Sequence, residues 1–263
     1  MKQTGLRFIT FGISHFCEKA RWALDWHGVQ YSEVGWAPGL HRLVAKRLGA
    51  ADTTLPILLD GTDLIQGSGA IIDWAEKHCS DAGRSLAPSD SDAAEAKVIE
   101  RRADEVIGPH VRRLIYAETL PTRPDVVKPA LFLSTSVTHR VVGGLMWPVT
   151  RKIMMSMYDV CPSAAAESQT TLEAELDWLD RRLADGRPYL VGDRPSRADI
   201  AVASLLAPLA RPKEMPIYRP LDSLDAFTAI AERWKERRTI GWANLLYATH
   251  RGPTRPAASG YVV

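Results

Sequence analysis

The spacing of apolar residues changes character partway along the chain. Leu6–Phe11 is a short, mostly apolar run, which predicts a first strand. From Phe16 to His27 the apolar residues Phe16, Ala20, Ala23 and Leu24 fall on one helical face, and Gly28 stands where such a helix should stop. Tyr31–Val34 reads as a second strand, Leu40–Leu48 as a short helix and Leu55–Leu59 as a third strand. Gly61 turns the chain into a fourth strand near Asp63–Ile65, and Ser68 opens a helix through Ile71, Ile72 and Ala75 to His78. The order β-α-β-α-β-β-α predicts a small mixed sheet, parallel at its start and antiparallel at its end, with helices on its faces.

Beyond this point the period is helical. Ser80–Asp92 is rich in Ser, Asp, Gly and Pro and reads as a linker. Ala93–Tyr116 predicts one long helix that Gly108 and Pro109 should bend or break. Thr170–Leu183 carries Leu172, Leu176, Leu179 and Leu183 on one stripe, Ile200–Leu209 reads as a buried helix, and Leu224–Arg237 is amphipathic. The segment from Pro121 to Pro162, with Leu145, Met146, Trp147, Met154, Met155 and Met157, is less periodic, and the tail after Gly252 is rich in Pro and Gly. The division expected is residues 1–80 as an α/β domain, 81–92 as linker and 93–263 as an all-α domain.

Charge narrows the partners. A net charge of +2, with basic pairs interleaved with acids, offers no basic stripe for nucleic acid. No apolar run has the length of a membrane span. Three widely spaced cysteines, Cys17, Cys79 and Cys161, form no disulfide framework and fit a reducing, cytoplasmic setting. No Cys-x-x-Cys or His-Glu-x-x-His motif suggests a metal.

Three short segments carry candidate chemistry. Ser14-His15-Phe16-Cys17 lies at a strand-to-helix junction, where free amide donors favour negative charge and depress a thiol pKa. Taken singly, Ser14 reads as an ordinary N-cap and Cys17 as a core residue. Leu55-Pro56 stands at a strand start, and a cis bond there would turn the Leu55 backbone outward toward a peptide-like ligand. Gln66-Gly67-Ser68 opens a helix whose first amides, with the Ser68 hydroxyl, suit a carboxylate.

In this order and within this element pattern, the three segments resemble the glutathione transferase superfamily. The resemblance implies a thioredoxin-like glutathione-binding domain followed by an all-α domain with a second-substrate pocket. It also implies glutathione as co-substrate, a small apolar electrophile, and a cytoplasmic homodimer. Ser14 stands at the catalytic position, Pro56 at the cis-proline and Ser68 at the serine that binds the γ-glutamyl carboxylate. His41 falls near a histidine that theta-type members use on the glycyl carboxylate. A second resemblance lies in Gly192-Asp193-Arg194-Pro195-Ser196-Arg197-Ala198-Asp199-Ile200, the family's folding signature, physically a capping box from Ser196 to Asp199. One position departs: where the family carries Glu or Gln before the serine, this chain has Gly67, with Gln66 one residue earlier. The expected reaction is attack of the glutathione thiolate on the electrophile, with Asp104, Ile107, Val111, Ile115 and the Met146–Met157 cluster as candidate pocket residues. Two alternatives stand beside it: a thiol transferase or peroxidase working through Cys17, and a non-catalytic binding module on the same fold.

Overall fold

The computed structural model describes residues 5–78, 81–87, 89–132 and 135–252. Cys79, Ser80, Pro88 and the tail beyond Gly252 lie outside the described residues. The chain forms two compact units. Among the described residues, one contains Gly5–Arg84 together with Lys128–Ile153, and the other contains Ser85–Val127 and Met154–Gly252.

The first unit is built on four strands, β1 (Leu6–Thr10), β2 (Tyr31–Gly35), β3 (Ile57–Asp60) and β4 (Asp63–Gln66), in the order β2-β1-β3-β4. β1 and β2 are parallel, while β1–β3 and β3–β4 are antiparallel, so the sheet is mixed as its sequence order predicts. Helix α1 (His15–Trp26) returns the chain from β1 to β2, α2 (Leu40–Arg47) follows β2, and α3 (Ser68–His78) follows β4. Phe8 and Leu58 on one sheet face meet Ala20 and Leu24 of α1 and Ile71 and Ala75 of α3; Ile9, Ile57 and Leu59 face the other way, toward Trp36 and Ala45. Alternation of side chains across the strands produces these two cores. The third strand starts at Ile57, not at Leu55. Pro56 has no N–H for the ladder, so pairing begins one residue later.

Two further helices lie in the stretch with least periodicity: α6 (Pro124–Leu131) and α7 (Val137–Met157). Within the first unit, Thr135 bridges to Gly35 at the end of β2, and His139 stacks on Trp36 with ring centroids 4.4 Å apart. Gly143 lets α7 approach closely. A Cβ there would stand 2.6 Å from the Phe132 ring and 3.0 Å from Ala37.

The second unit is helical. The long helix expected over Ala93–Tyr116 is α4 (Asp90–Arg102), a π-helical turn (Ala103–Ile107) and α5 (Gly108–Thr122). Gly108–Pro109 does not end it. The irregularity falls just before, because Pro109 cannot donate to the carbonyl four residues back. The unit also contains α8 (Pro162–Arg182), α9 (Arg197–Ala210), α10 (Asp225–Trp234) and α11 (Arg238–His250). Leu172, Leu176 and Leu179 are fully buried, as their stripe predicts. Before α9, Asp199 accepts from the Ser196 backbone N–H at 2.8 Å, the Ser196 hydroxyl at 2.6 Å and the Leu190 backbone N–H at 2.7 Å. Burial lifts the Asp199 carboxyl to about 6 against the pull of these three donors. Among the described residues, no helix is long and apolar enough to cross a membrane.

Candidate functional site

β1 ends at Thr10, and the loop that follows is closed by a hydrogen bond from the Ser14 amide to the Phe11 carbonyl, 3.1 Å. Ser14 is the N-cap of α1. Its backbone is extended and its Oγ accepts from the Cys17 amide at 3.3 Å. A hydroxyl used as an acceptor keeps its proton to give, so Ser14 can donate to an anion beyond the helix start. Ser14 is half-buried and therefore reachable.

Cys17 has a different environment. It is fully buried, and its sulfur accepts from the Phe11 amide at 3.4 Å. Burial pushes its thiol up to about 11, although Ser14, the Phe11 amide and Arg21 all favour the thiolate. At neutral pH about one molecule in 10⁴ carries the thiolate, given that displacement.

The Leu55–Pro56 peptide bond is cis. The Pro56 carbonyl accepts from the Gly67 amide at 2.9 Å, which brings the start of α3 beside the proline. Ser68 is buried at that helix start. Among the described residues, neither the Ser68 hydroxyl nor the Leu55 N–H and C=O carries a hydrogen bond. A γ-glutamyl carboxylate and a peptide backbone are the kinds of group these free partners accept.

Gly67 has φ +94°, a left-handed backbone that a side chain would strain. Gln66 is engaged with the loop before the proline. Its amide donates to the Asp52 carbonyl (3.1 Å), the Asp52 carboxylate (3.0 Å) and the Thr54 carbonyl (3.0 Å), while its oxygen accepts from the Asp52 amide. Gln66 therefore braces the loop before Leu55.

His41 packs edge-on against Phe11, with ring centroids 4.7 Å apart, and its Nδ1 accepts from the Gly39 amide at 3.2 Å. Burial lowers its pKa to about 4, outweighing hydrogen bonds with the backbone of Ala37 and Thr53. The ring is neutral at pH 7, so any bond to a carboxylate would be that of a neutral donor. The contacts thus tie His41 to the Ser14 loop through Phe11, and Pro56 to the start of α3 through Gly67.

A buried charged network behind the loop was not anticipated from the sequence. Arg21 donates to Glu18 at 2.6 Å and to both oxygens of Glu33 at 3.0 and 2.5 Å, and Thr10 donates to Glu33 at 2.6 Å. All four side chains are buried. Burial opposes the Arg21 charge, but the hydrogen bond to Glu33 and the Glu18 carboxylate hold its guanidinium more firmly protonated than usual. This network locks α1, and with it Ser14, to β1 and β2. The available signal was the three-residue spacing of Glu18 and Arg21 on α1.

Of the candidate pocket residues in the second unit, Ile107, Val111 and Ile115 are buried in the helical core. Met154 is buried as well, whereas Met146 and Met157 are exposed. Among the described residues, no group of three or more His, Cys, Asp or Glu side chains is placed to hold a metal ion.

Comparison with known proteins identifies the family in both the N-terminal and the C-terminal part of the chain. Residues 8–82 match the family model for the glutathione S-transferase N-terminal domain, and residues 162–234 match that for the glutathione S-transferase C-terminal domain. No curated protein sequence gives a significant match. Among solved structures, a glutathione S-transferase from Rhodospirillum rubrum F11 is similar at TM-score 0.62 and 16% identity, covering 98% of this chain and 93% of that one. A β-etherase from Sphingobium sp. strain SYK-6 is similar at TM-score 0.59 and 19% identity, covering 91% and 98%. A glutathione S-transferase from Methylobacillus flagellatus with glutathione bound is similar at TM-score 0.58 and 13% identity, covering 94% and 96%. At these identities the likeness concerns the fold.

Proposed function

The chain belongs to the glutathione transferase superfamily, and on that premise we propose that it binds glutathione on the first unit and conjugates it to a small apolar electrophile. The observation that carries this reading is Ser14, a reachable N-cap hydroxyl whose proton is free to be donated. In this reading Leu55 pairs with the cysteinyl backbone of glutathione. Ser68 and the α3 amides take the γ-glutamyl carboxylate, and neutral His41 lies toward the glycyl end.

The glutathione thiol loses its proton to solvent, with the Ser14 O–H and the α1 amides stabilising the sulfur anion. The sulfur lone pair forms a C–S bond, and the leaving group departs with its electron pair. Holding both reactants together supplies much of the acceleration. Gly67 gives the amine of glutathione no side-chain partner, and Gln66 is engaged elsewhere. Losing a hydrogen bond to a charged group weakens binding by about 1.5–3 kcal/mol, so affinity toward the millimolar end is expected. Homodimerisation and a cytoplasmic location belong to the same proposal.

The Cys17 reading has little support from its surroundings, because an enclosed thiol displaced to about 11 is a poor nucleophile. The deciding experiment combines calorimetric titration with glutathione and the pH dependence of thiolate absorbance of the bound peptide. Wild type should bind and show a depressed thiol pKa. Ser14→Ala should keep binding within a few-fold, raise that midpoint and lower turnover by tenfold or more. No heat at millimolar glutathione would favour the non-catalytic binding module. An unchanged midpoint in Ser14→Ala would remove Ser14 from the chemistry.

A further inference from the structure

Helix α7 carries its apolar residues on the wrong side for a core. Val137, Val141, Leu145, Val149 and Ile153 recur every fourth residue, so they form one row on the helix surface. They are between 49% and 79% exposed, and Met146 beside them is 44% exposed. The opposite face is the packed one: Gly143, Trp147, Thr150 and Met154 point inward. The apolar row runs the length of the helix and exceeds the scattered exposed residues ordinary on a soluble surface.

Charge says what covers it. α7 contains no acidic residue, while Arg140, Arg151 and Lys152 are all cationic. Lys152 follows Leu145 by two helical turns and so shares its face, where its stem can lie along the apolar row with the ammonium reaching out. Beside the helix, Lys128 and Arg140 line one cleft of about 360 Å³ with Pro129, Phe132 and Gly144. Among the described residues, Lys128, Arg140 and Lys152 have no carboxylate partner. Arg140 donates to the Thr135 carbonyl at 3.5 Å and the Lys128 ammonium lies 5.9 Å from the Trp147 ring centroid, but neither charge is neutralised. Two cations without a carboxylate in an open cleft next to an aliphatic stripe suit a phosphate group attached to a hydrocarbon.

We propose that the exposed face of α7, with the cleft lined by Lys128 and Arg140, is a peripheral docking surface for an anionic lipid bilayer. The α7 row inserts at the headgroup boundary while Lys128 and Arg140 take a lipid phosphate in the cleft. A second copy of the chain is the competing occupant. It fits less well, because pairing two α7 helices sets their cations against each other with no acid on either. The exposed row is also entirely aliphatic or Met, without the aromatic anchors that protein interfaces favour. Lying on a membrane demands only an apolar face and a basic flank.

The test is sedimentation of the full chain with phosphatidylcholine vesicles, with and without about one-third phosphatidylglycerol. Binding should be at least tenfold stronger to the anionic vesicles and weaken as salt is raised. Leu145→Glu should lose tenfold or more on anionic vesicles. The double change Lys128→Ala with Arg140→Ala should erase the anionic preference, with circular dichroism of each variant confirming the fold. No binding, equal binding to both vesicle types, or Leu145→Glu binding like wild type would overturn the proposal. Light scattering supplies an independent arm. A dimer that Leu145→Glu converts to monomer, with no vesicle binding, would assign the face to a second copy.

Discussion

Replacing Arg21 by methionine tests how the first unit holds its candidate site. Methionine keeps an unbranched stem but carries no charge, so the change removes the Arg21 guanidinium from between Glu18 and Glu33. Three hydrogen bonds disappear, one to Glu18 and two to Glu33, from side chains no more than 6% exposed. Breaking a buried pair by removing one partner destabilises by about 3–5 kcal/mol, chiefly through the stranded charge. About 4 kcal/mol is expected here, a large share of the roughly 5–15 kcal/mol that holds a typical domain folded. The chain has two compact units, so a single global transition is a poor readout. Hydrogen exchange in graded urea, read on peptides from β1 and α1, isolates the affected unit. A deficit below about 1 kcal/mol at pH 7.5 would refute the view that this network anchors α1.

Three further outcomes are expected. With its thiol at about 11, Cys17 should carry roughly a hundredfold less thiolate at pH 7.5 than an ordinary cysteine. Peptide mass spectrometry after iodoacetamide treatment should find it modified at least that much more slowly in the native protein than in urea, and rapid native labelling would contradict its enclosure. Asp199, raised to about 6 from an ordinary 3.8, holds a proton when folded that the unfolded chain has lost between those two values. Its contribution therefore falls by about 3 kcal/mol as pH rises through that window, at 1.36 kcal/mol per pH unit. The difference in urea midpoint between wild type and Asp199→Asn should follow that fall, and a pH-independent difference would count against it. Gly143→Val forces its side chain against Phe132 and Ala37, which should destabilise by about 1–3 kcal/mol. Protease cleavage within α7 should accelerate, and an unchanged cleavage rate would show that α7 does not depend on this close approach.

What the sequence determined by itself is local. Alternation in Leu6–Thr10 and Ile57–Asp60, the helical spacing of Ala20 and Leu24, and the three-residue reach from Ser196 to Asp199 each depend on neighbours a few positions away. The mixed sheet, the Ser14 N-cap and the capping box were legible for that reason, while the cis Leu55–Pro56 bond was implied by the family resemblance. Tertiary structure decided whatever depends on distant partners. Asp52 and Thr54 claim Gln66 across fourteen and twelve residues, and Glu33 takes Arg21 from a neighbouring strand. The same packing encloses Cys17 and pushes its thiol away from reactivity. α7 shows the difference most clearly. Gly143, Trp147 and Met154 point inward while a row of Val, Leu and Ile points out. A helix that buries one apolar face and exposes another has no clear amphipathic period, because hydropathy records what a side chain is and only packing decides what it faces.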